Sequence, residues 1–104
     1  MIEKKEVIND REYTFKKFGF KENIEIRNNS FRMNIETKEQ EVLVGTMQAL
    51  TVLHSLKSGL KDSNGKEVPI TKDNFYAHFP MEDFDQAFMI AQELNSLTLT
   101  EKNA

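Results

Sequence analysis

The strongest constraint on this chain is a proline-free run over residues 38–58 that ends at Gly59, the residue type best suited to the left-handed conformation just past a helix. The run predicts a helix of about 20 residues, with Thr37 as its cap and Gln40 at the third helical position. Placed at 100° per residue, Ala49, Val52, Leu53 and Leu56 fall on one side, Leu43, Met47 and Leu50 further round, and Val44 beyond them. The apolar arc is about 220°, wider than the stripe a surface helix needs to cover one core. Two readings follow: a central core helix, or a helix with one side turned toward something outside the monomer.

Ahead of this run, Glu6 to Phe15 carries β-branched and aromatic residues on both sides of Asn9-Asp10, a pair that readily forms a tight turn. It reads as a β-hairpin with Tyr13 and Phe15 on one face. Phe20, Ile24 and Arg27 fall at helical spacing until Asn28-Asn29-Ser30 breaks the pattern, and Phe31, Met33 and Ile35 then alternate as in a half-buried strand. Beyond Gly59, Asn64-Gly65 marks a turn, and Val68-Pro69-Ile70 is extended. Thr71 can cap a short helical turn through Tyr76, with Phe75 and Phe79 packing inward. Pro80 suits the start of a final helix over residues 81–95, where Glu82, Asp83 and Asp85 complement the positive end of the macrodipole. Leu97 and Leu99 alternate with Thr98 and Thr100 in a tail without a helix signature. The expected fold is α+β and mainly helical, a single domain over residues 1–104. An N-terminal β element and short helix (1–36) precede a helical core (37–96) with two long helices and a tail (97–104).

Composition narrows the function classes. With 104 residues, eight Phe and five Met, the chain has apolar bulk for one core, and with no Cys it has neither a disulfide framework nor a thiolate nucleophile. No stretch reaches the roughly 20 apolar residues of a membrane span, and the opening residues lack the apolar run of a signal peptide, so a cytoplasmic location is expected. Residues 1–41 hold nine basic and nine acidic side chains, whereas residues 42–104 hold five and eight, so the net charge of -3 lies in the second part. Between Lys72 and Lys102 there is no basic residue, and Glu82, Asp83, Asp85, Glu93 and Glu101 make that stretch a poor surface for phosphate backbones, while Lys16, Lys17 and Lys21 beside Phe15, Phe18 and Phe20 are balanced by Glu12, Glu22 and Glu25. No nucleic-acid partner is expected. His54 and His78 lie in no metal-binding spacing, Asp62-Ser63-Asn64-Gly65 offers too few oxygens for a calcium loop, and the four glycines are too scattered to cradle a phosphate. The sequence predicts no catalytic residue, metal or cofactor.

The opening Met1-Ile2-Glu3-Lys4-Lys5-Glu6-Val7-Ile8-Asn9-Asp10-Arg11-Glu12-Tyr13-Thr14-Phe15-Lys16-Lys17-Phe18-Gly19-Phe20, the run from Glu41 to Leu56 and the order of elements resemble the tail assembly chaperones of lactococcal siphophages. The resemblance extends over essentially the whole chain. It implies a non-enzymatic, non-structural protein of the host cytoplasm, absent from the mature virion, that keeps the long, apolar, helical tape measure protein soluble before the tail tube forms. Such a client calls for an apolar groove that accepts amphipathic helices, with adaptable Met side chains. Leu43, Met47, Leu50, Met89, Ile90 and Leu94 are the expected groove residues. One small domain covers few turns of a long client, so several copies in a ring or spiral are expected, with Val7, Ile8, Tyr13 and Phe15 of the hairpin as the self-contact. The alternatives are a structural phage protein, such as a head-tail connector or minor tail component, and an inhibitor of a host nucleic-acid enzyme whose acidic last helix imitates a phosphate backbone.

Overall fold

The computed structural model describes residues 2–33, 36–38 and 40–103, and Ile35 of the expected strand lies outside them. Strands β1 (Glu3–Ile8) and β2 (Arg11–Lys16) form the antiparallel hairpin expected from the sequence. Asn9 and Asp10 take φ of 51° and 66°, the pair of left-handed conformations that a tight hairpin turn requires. Helix α1 (Phe20–Ser30) follows, running three residues past the expected break. The backbone N–H of Gly19 donates to the Glu22 carboxylate at 3.1 Å, which satisfies a donor at the helix entry.

The long helix is shorter than its periodicity predicts. Strand β3 (Phe31–Met33) pairs antiparallel with β4 (Gln40–Val42), Phe31 opposite Val42, so residues 40–42 are extended. Helix α2 therefore begins at Val44 and ends at Ser55, with Leu43 at its N-cap, while Thr37 stands in the turn before β4. At the other end, β5 (Leu56–Ser58) joins β2 as the third strand, giving the order β1-β2-β5. Tertiary pairing overrides helical propensity at both ends. The register shifts by one between Thr14 opposite Ser58 and Phe15 opposite Leu56, which leaves Lys57 as a bulge.

Most of the wide apolar arc is buried within the monomer, while Val44 at its edge stays exposed. Leu50, Val52, Leu53 and Ser55 are buried, and Met47 and Ala49 pack against the core. Helix α2 packs against α1 and α4, and so lies between them. The core joins Ile8, Tyr13 and Phe15 of the hairpin to these residues and to Ile26, Leu56, Leu60, Phe75, Ala87 and Leu94. Completely burying a side chain such as Phe15 contributes about 3 kcal/mol.

After β5, Leu60 to Val68 forms a tight loop in which the Asp62 carboxylate accepts from the N–H groups of Asn64 (2.9 Å) and Lys66 (3.0 Å). The Asp62 motif thus serves a turn, with Gly65 at φ 80°. Helix α3 (Lys72–His78) is capped by Thr71, whose hydroxyl accepts from Asn74 N–H at 3.1 Å. Its Phe75 stacks on Phe79 at 4.8 Å, and Phe79 packs on Tyr13 at 5.5 Å. Helix α4 (Met81–Asn103) starts after Pro80 as expected, but it runs on through residues expected to form a non-helical tail. Thr98 and Thr100 weaken helix propensity by only a few tenths of a kcal/mol each, and a helix already nucleated continues through them.

Gly59 sits at the junction of β5 and β2 with φ of 111°, and a Cβ there would lie 2.5 Å from the Glu12 carbonyl oxygen. Gly65 also has positive φ but faces open space. Gly59→Ala should therefore cost about 3 kcal/mol and Gly65→Ala about 1 kcal/mol, compared by urea denaturation. Equal costs would show that backbone conformation alone, and not the close approach to β2, sets the requirement.

Candidate functional site

Two features stand out above the core: a buried carboxylate at the hairpin tip, and an apolar cleft between helices. Asp83, in the first turn of α4, is completely buried. Its Oδ1 accepts from Asn9 Nδ2 at 2.8 Å and from Arg11 Nη1 at 3.1 Å, and its Oδ2 accepts from the Tyr13 hydroxyl. Arg11 reaches onward to Glu82 at 2.9 Å. The sequence places Glu82, Asp83 and Asp85 as macrodipole partners. The structure separates them, because helical spacing turns Asp83 toward the hairpin and leaves Glu82 and Asp85 exposed.

The hairpin tip supplies all three donors to Asp83, so the buried carboxyl is both paired with Arg11 and hydrogen-bonded, the conditions under which burial of such a group is tolerated. The hydrogen bond to Asp83 raises the Arg11 pKa further. Burial, followed by the hydrogen bond to Asp83, pushes the Tyr13 phenol far above its ordinary value. The cluster has no exposed nucleophile and no second carboxylate sharing a proton. It ties the tip of the first hairpin to the first turn of α4.

The cleft lies where α1, α2 and α4 meet. Phe18, Ile26, Phe31, Met47 and Phe88 line it, and Asn23, Arg27, Thr51, Gln92 and Asn95 complete its wall around a volume of about 480 Å³. The size falls within the range of ligand-binding clefts, and so does the combination of an apolar lining with a few polar groups. Asn95 fixes the cleft's corner, since its Oδ1 accepts from Phe18 N–H at 2.9 Å and its Nδ2 donates to the Ala91 carbonyl at 2.8 Å. Thr51 turns its hydroxyl back to the Met47 carbonyl at 2.7 Å.

Of the residues expected to form a groove, Met47 alone lines this cleft. Leu50 and Leu94 are buried in the core, Ile90 packs against it, and Leu43 is half-buried at the α2 N-cap. Met89 stands 67% exposed, outside the cleft lining. Among the residues expected to mediate self-contact, Ile8, Tyr13 and Phe15 belong to the monomer's own core. Val7 points to the opposite face of β1 and is exposed. Phe18, Phe31 and Phe88 escaped the sequence reading because each looks like ordinary core, and Ile26 because α1 was expected to end beside it.

Among the described residues, no group of three His, Cys, Asp or Glu side chains is placed to hold a metal ion, and no helix is long and apolar enough to cross a membrane.

The clasp makes a testable demand on stability. Asp83→Ala should destabilise the fold by about 3 kcal/mol, because it leaves the buried Tyr13 hydroxyl without its acceptor. Because the folded-state Tyr13 pKa is raised, the unfolded chain releases the phenolic proton first. Its contribution is therefore constant up to about pH 10 and declines above it, by at most about 1.4 kcal/mol per pH unit. Tyr13→Phe should remove that part of the alkaline decline, measured by urea denaturation from neutral to alkaline pH; an unchanged decline would mean that Tyr13 titrates alike in both states.

No known protein family, curated protein or solved structure matches this chain.

Proposed function

We propose that this protein is a phage tail assembly chaperone. It binds apolar, amphipathic helices of the tape measure protein and keeps that client soluble in the host cytoplasm until the tail tube assembles around it, several copies acting along one client. The observation that carries the reading is the apolar cleft between α1, α2 and α4, with three Phe rings and Met47 in its lining. A cleft floored by flexible and aromatic side chains accepts successive apolar residues from one face of a helix without demanding one client sequence. Its wall also carries Arg27 and Gln92, while the Thr51 hydroxyl and the Asn95 amide are held by hydrogen bonds within the fold. Holding a helix in this way needs no cofactor and no bond-making residue. The resemblance of the opening 20 residues and of the run from Glu41 to Leu56 to lactococcal siphophage chaperones supports the same reading.

Co-expression with long fragments of the tape measure protein from the same phage tests the proposal. An otherwise insoluble fragment should become soluble and elute with several copies of this protein, as read by light scattering. Met47→Glu places a carboxylate in the apolar cleft and should weaken capture by about tenfold or more, while thermal unfolding checks that the variant remains folded. A fragment that precipitates while this protein elutes alone would favour the alternative of a structural head or tail component.

A further inference from the structure

Among the described residues that line the apolar cleft, Arg27 alone is charged, and no carboxylate lines the cleft beside it. Its Nε donates to Asn23 Oδ1 at 3.1 Å, one turn back along α1, which holds the guanidinium on the helix surface. The side chain is exposed, and neither Nη atom has a hydrogen-bond or ion-pair partner among the described residues. Because the Thr51 hydroxyl and the Asn95 amide are committed within the fold, this guanidinium is the strongest polar group that the cleft offers to a ligand.

Exposed apolar side chains lie on both sides of Arg27. At 100° per residue, Phe20, Asn23, Ile24 and Arg27 fall within an arc of about 100° on α1, so Phe20 and Ile24 share the face of Arg27 and precede it by about 10 Å and 5 Å. Both are exposed, Phe20 at 69%. Beyond the end of α1, Phe31 is exposed and lines the cleft, and its cross-strand partner Val42 is exposed with it. The lip of the cleft therefore runs apolar, cationic, apolar. A second cleft, of about 470 Å³ where α2 meets β2 and β5, has no such pattern. Its lysines face Glu22 and Glu25, Lys57 pairs with Glu3, and Leu50, Leu53 and Leu56 beneath them are buried core.

We infer that the apolar cleft selects helices that carry a carboxylate within their apolar stripe. The partner is an amphipathic helix with Asp or Glu at one position and apolar residues about three, four and seven positions to either side. The carboxylate meets the free Nη atoms of Arg27, a geometry suited to paired hydrogen bonds, while the flanking apolar residues cover Phe20 and Ile24 on one side and Phe31 and Met47 on the other. A helix with Lys at that position sets two cations together at a partly desolvated surface and is disfavoured. The inference rests on the reading of this cleft as a helix-binding site and adds which helices it takes. It also supplies register: apolar contacts alone let a helix slide by a turn, whereas a carboxylate opposite Arg27 fixes where along a client each copy sits.

Three synthetic helical peptides of about 20 residues test it. They share the same Leu stripe, are otherwise uncharged, and carry Glu, Gln or Lys at the centre of that stripe. Titrated against the full chain by fluorescence anisotropy, the Glu peptide should bind about tenfold more tightly than the Lys peptide, with Gln between them, and about 0.5 M salt should narrow the difference. Arg27→Gln should abolish the preference and Arg27→Glu should reverse it, both with unchanged circular dichroism and thermal unfolding. Equal binding of the three peptides by the wild-type protein would overturn the inference and leave the cleft as a charge-blind helix site. A preference that persists in Arg27→Gln would overturn the assignment to Arg27. Binding of none of the three would overturn the inference together with the helix-binding role of the cleft.

Discussion

A single buried carboxylate holds the two ends of this fold in register. Asp83 opens the last helix, while its donors, Asn9, Arg11 and Tyr13, all come from the tip of the first hairpin. A charge in that position is tolerable only while every donor is present, because a buried carboxylate stripped of its partners costs several kcal/mol. The arrangement therefore fixes more than one contact: it bears on which face of α4 meets the sheet and on how the hairpin lies across it. The apolar cleft depends on the same orientation, since Phe88, Gln92 and Asn95 reach it from α4 on the turns that follow Asp83.

The sheet adds a second constraint, on where the protein can meet other chains. Strand β1 is an edge, yet its core-side face carries Lys4 and Glu6, paired to each other at 3.2 Å, in line with Ile8. Charges on the inward face of an edge strand resist pairing with another strand. Contacts through helices and clefts fit this molecule better than contacts through strand addition. Both clefts accordingly lie among helices or at the junction of helix and sheet, where side chains from several elements converge.

Local signals were read well from the sequence where the chemistry is local. Asn9-Asp10 turns the hairpin, Thr71 caps α3, Asn64-Gly65 turns the loop and Pro80 precedes α4, because each depends on backbone geometry within a few residues. The ends of α2 were not legible. Residues 40–42 and 56–58 continue a helical pattern, and their strand conformation comes from partners in β3 and β2 that no local window contains. Asp83 was concealed for a related reason: at a helix start an acidic residue already has a sufficient explanation in the macrodipole, and only the hairpin's approach distinguishes it from Glu82 and Asp85. The cleft was half legible. Met47 was visible as an adaptable side chain off the main stripe, whereas Phe18 from the connection before α1, Phe31 from β3 and Phe88 from α4 become a surface only through tertiary packing.

The span between Tyr13 and Asp83 also has a meaning in time. A ribosome adds roughly 5–20 residues per second, so the hairpin is synthesised several seconds before the carboxylate that will receive its three donors. During that interval the two strands can pair, but Tyr13 and Phe15 have no α4 to close over them, and an isolated two-stranded hairpin is marginal in water. The hairpin is thus made well before the helix that closes over it, and its core face stays uncovered until α4 has been synthesised.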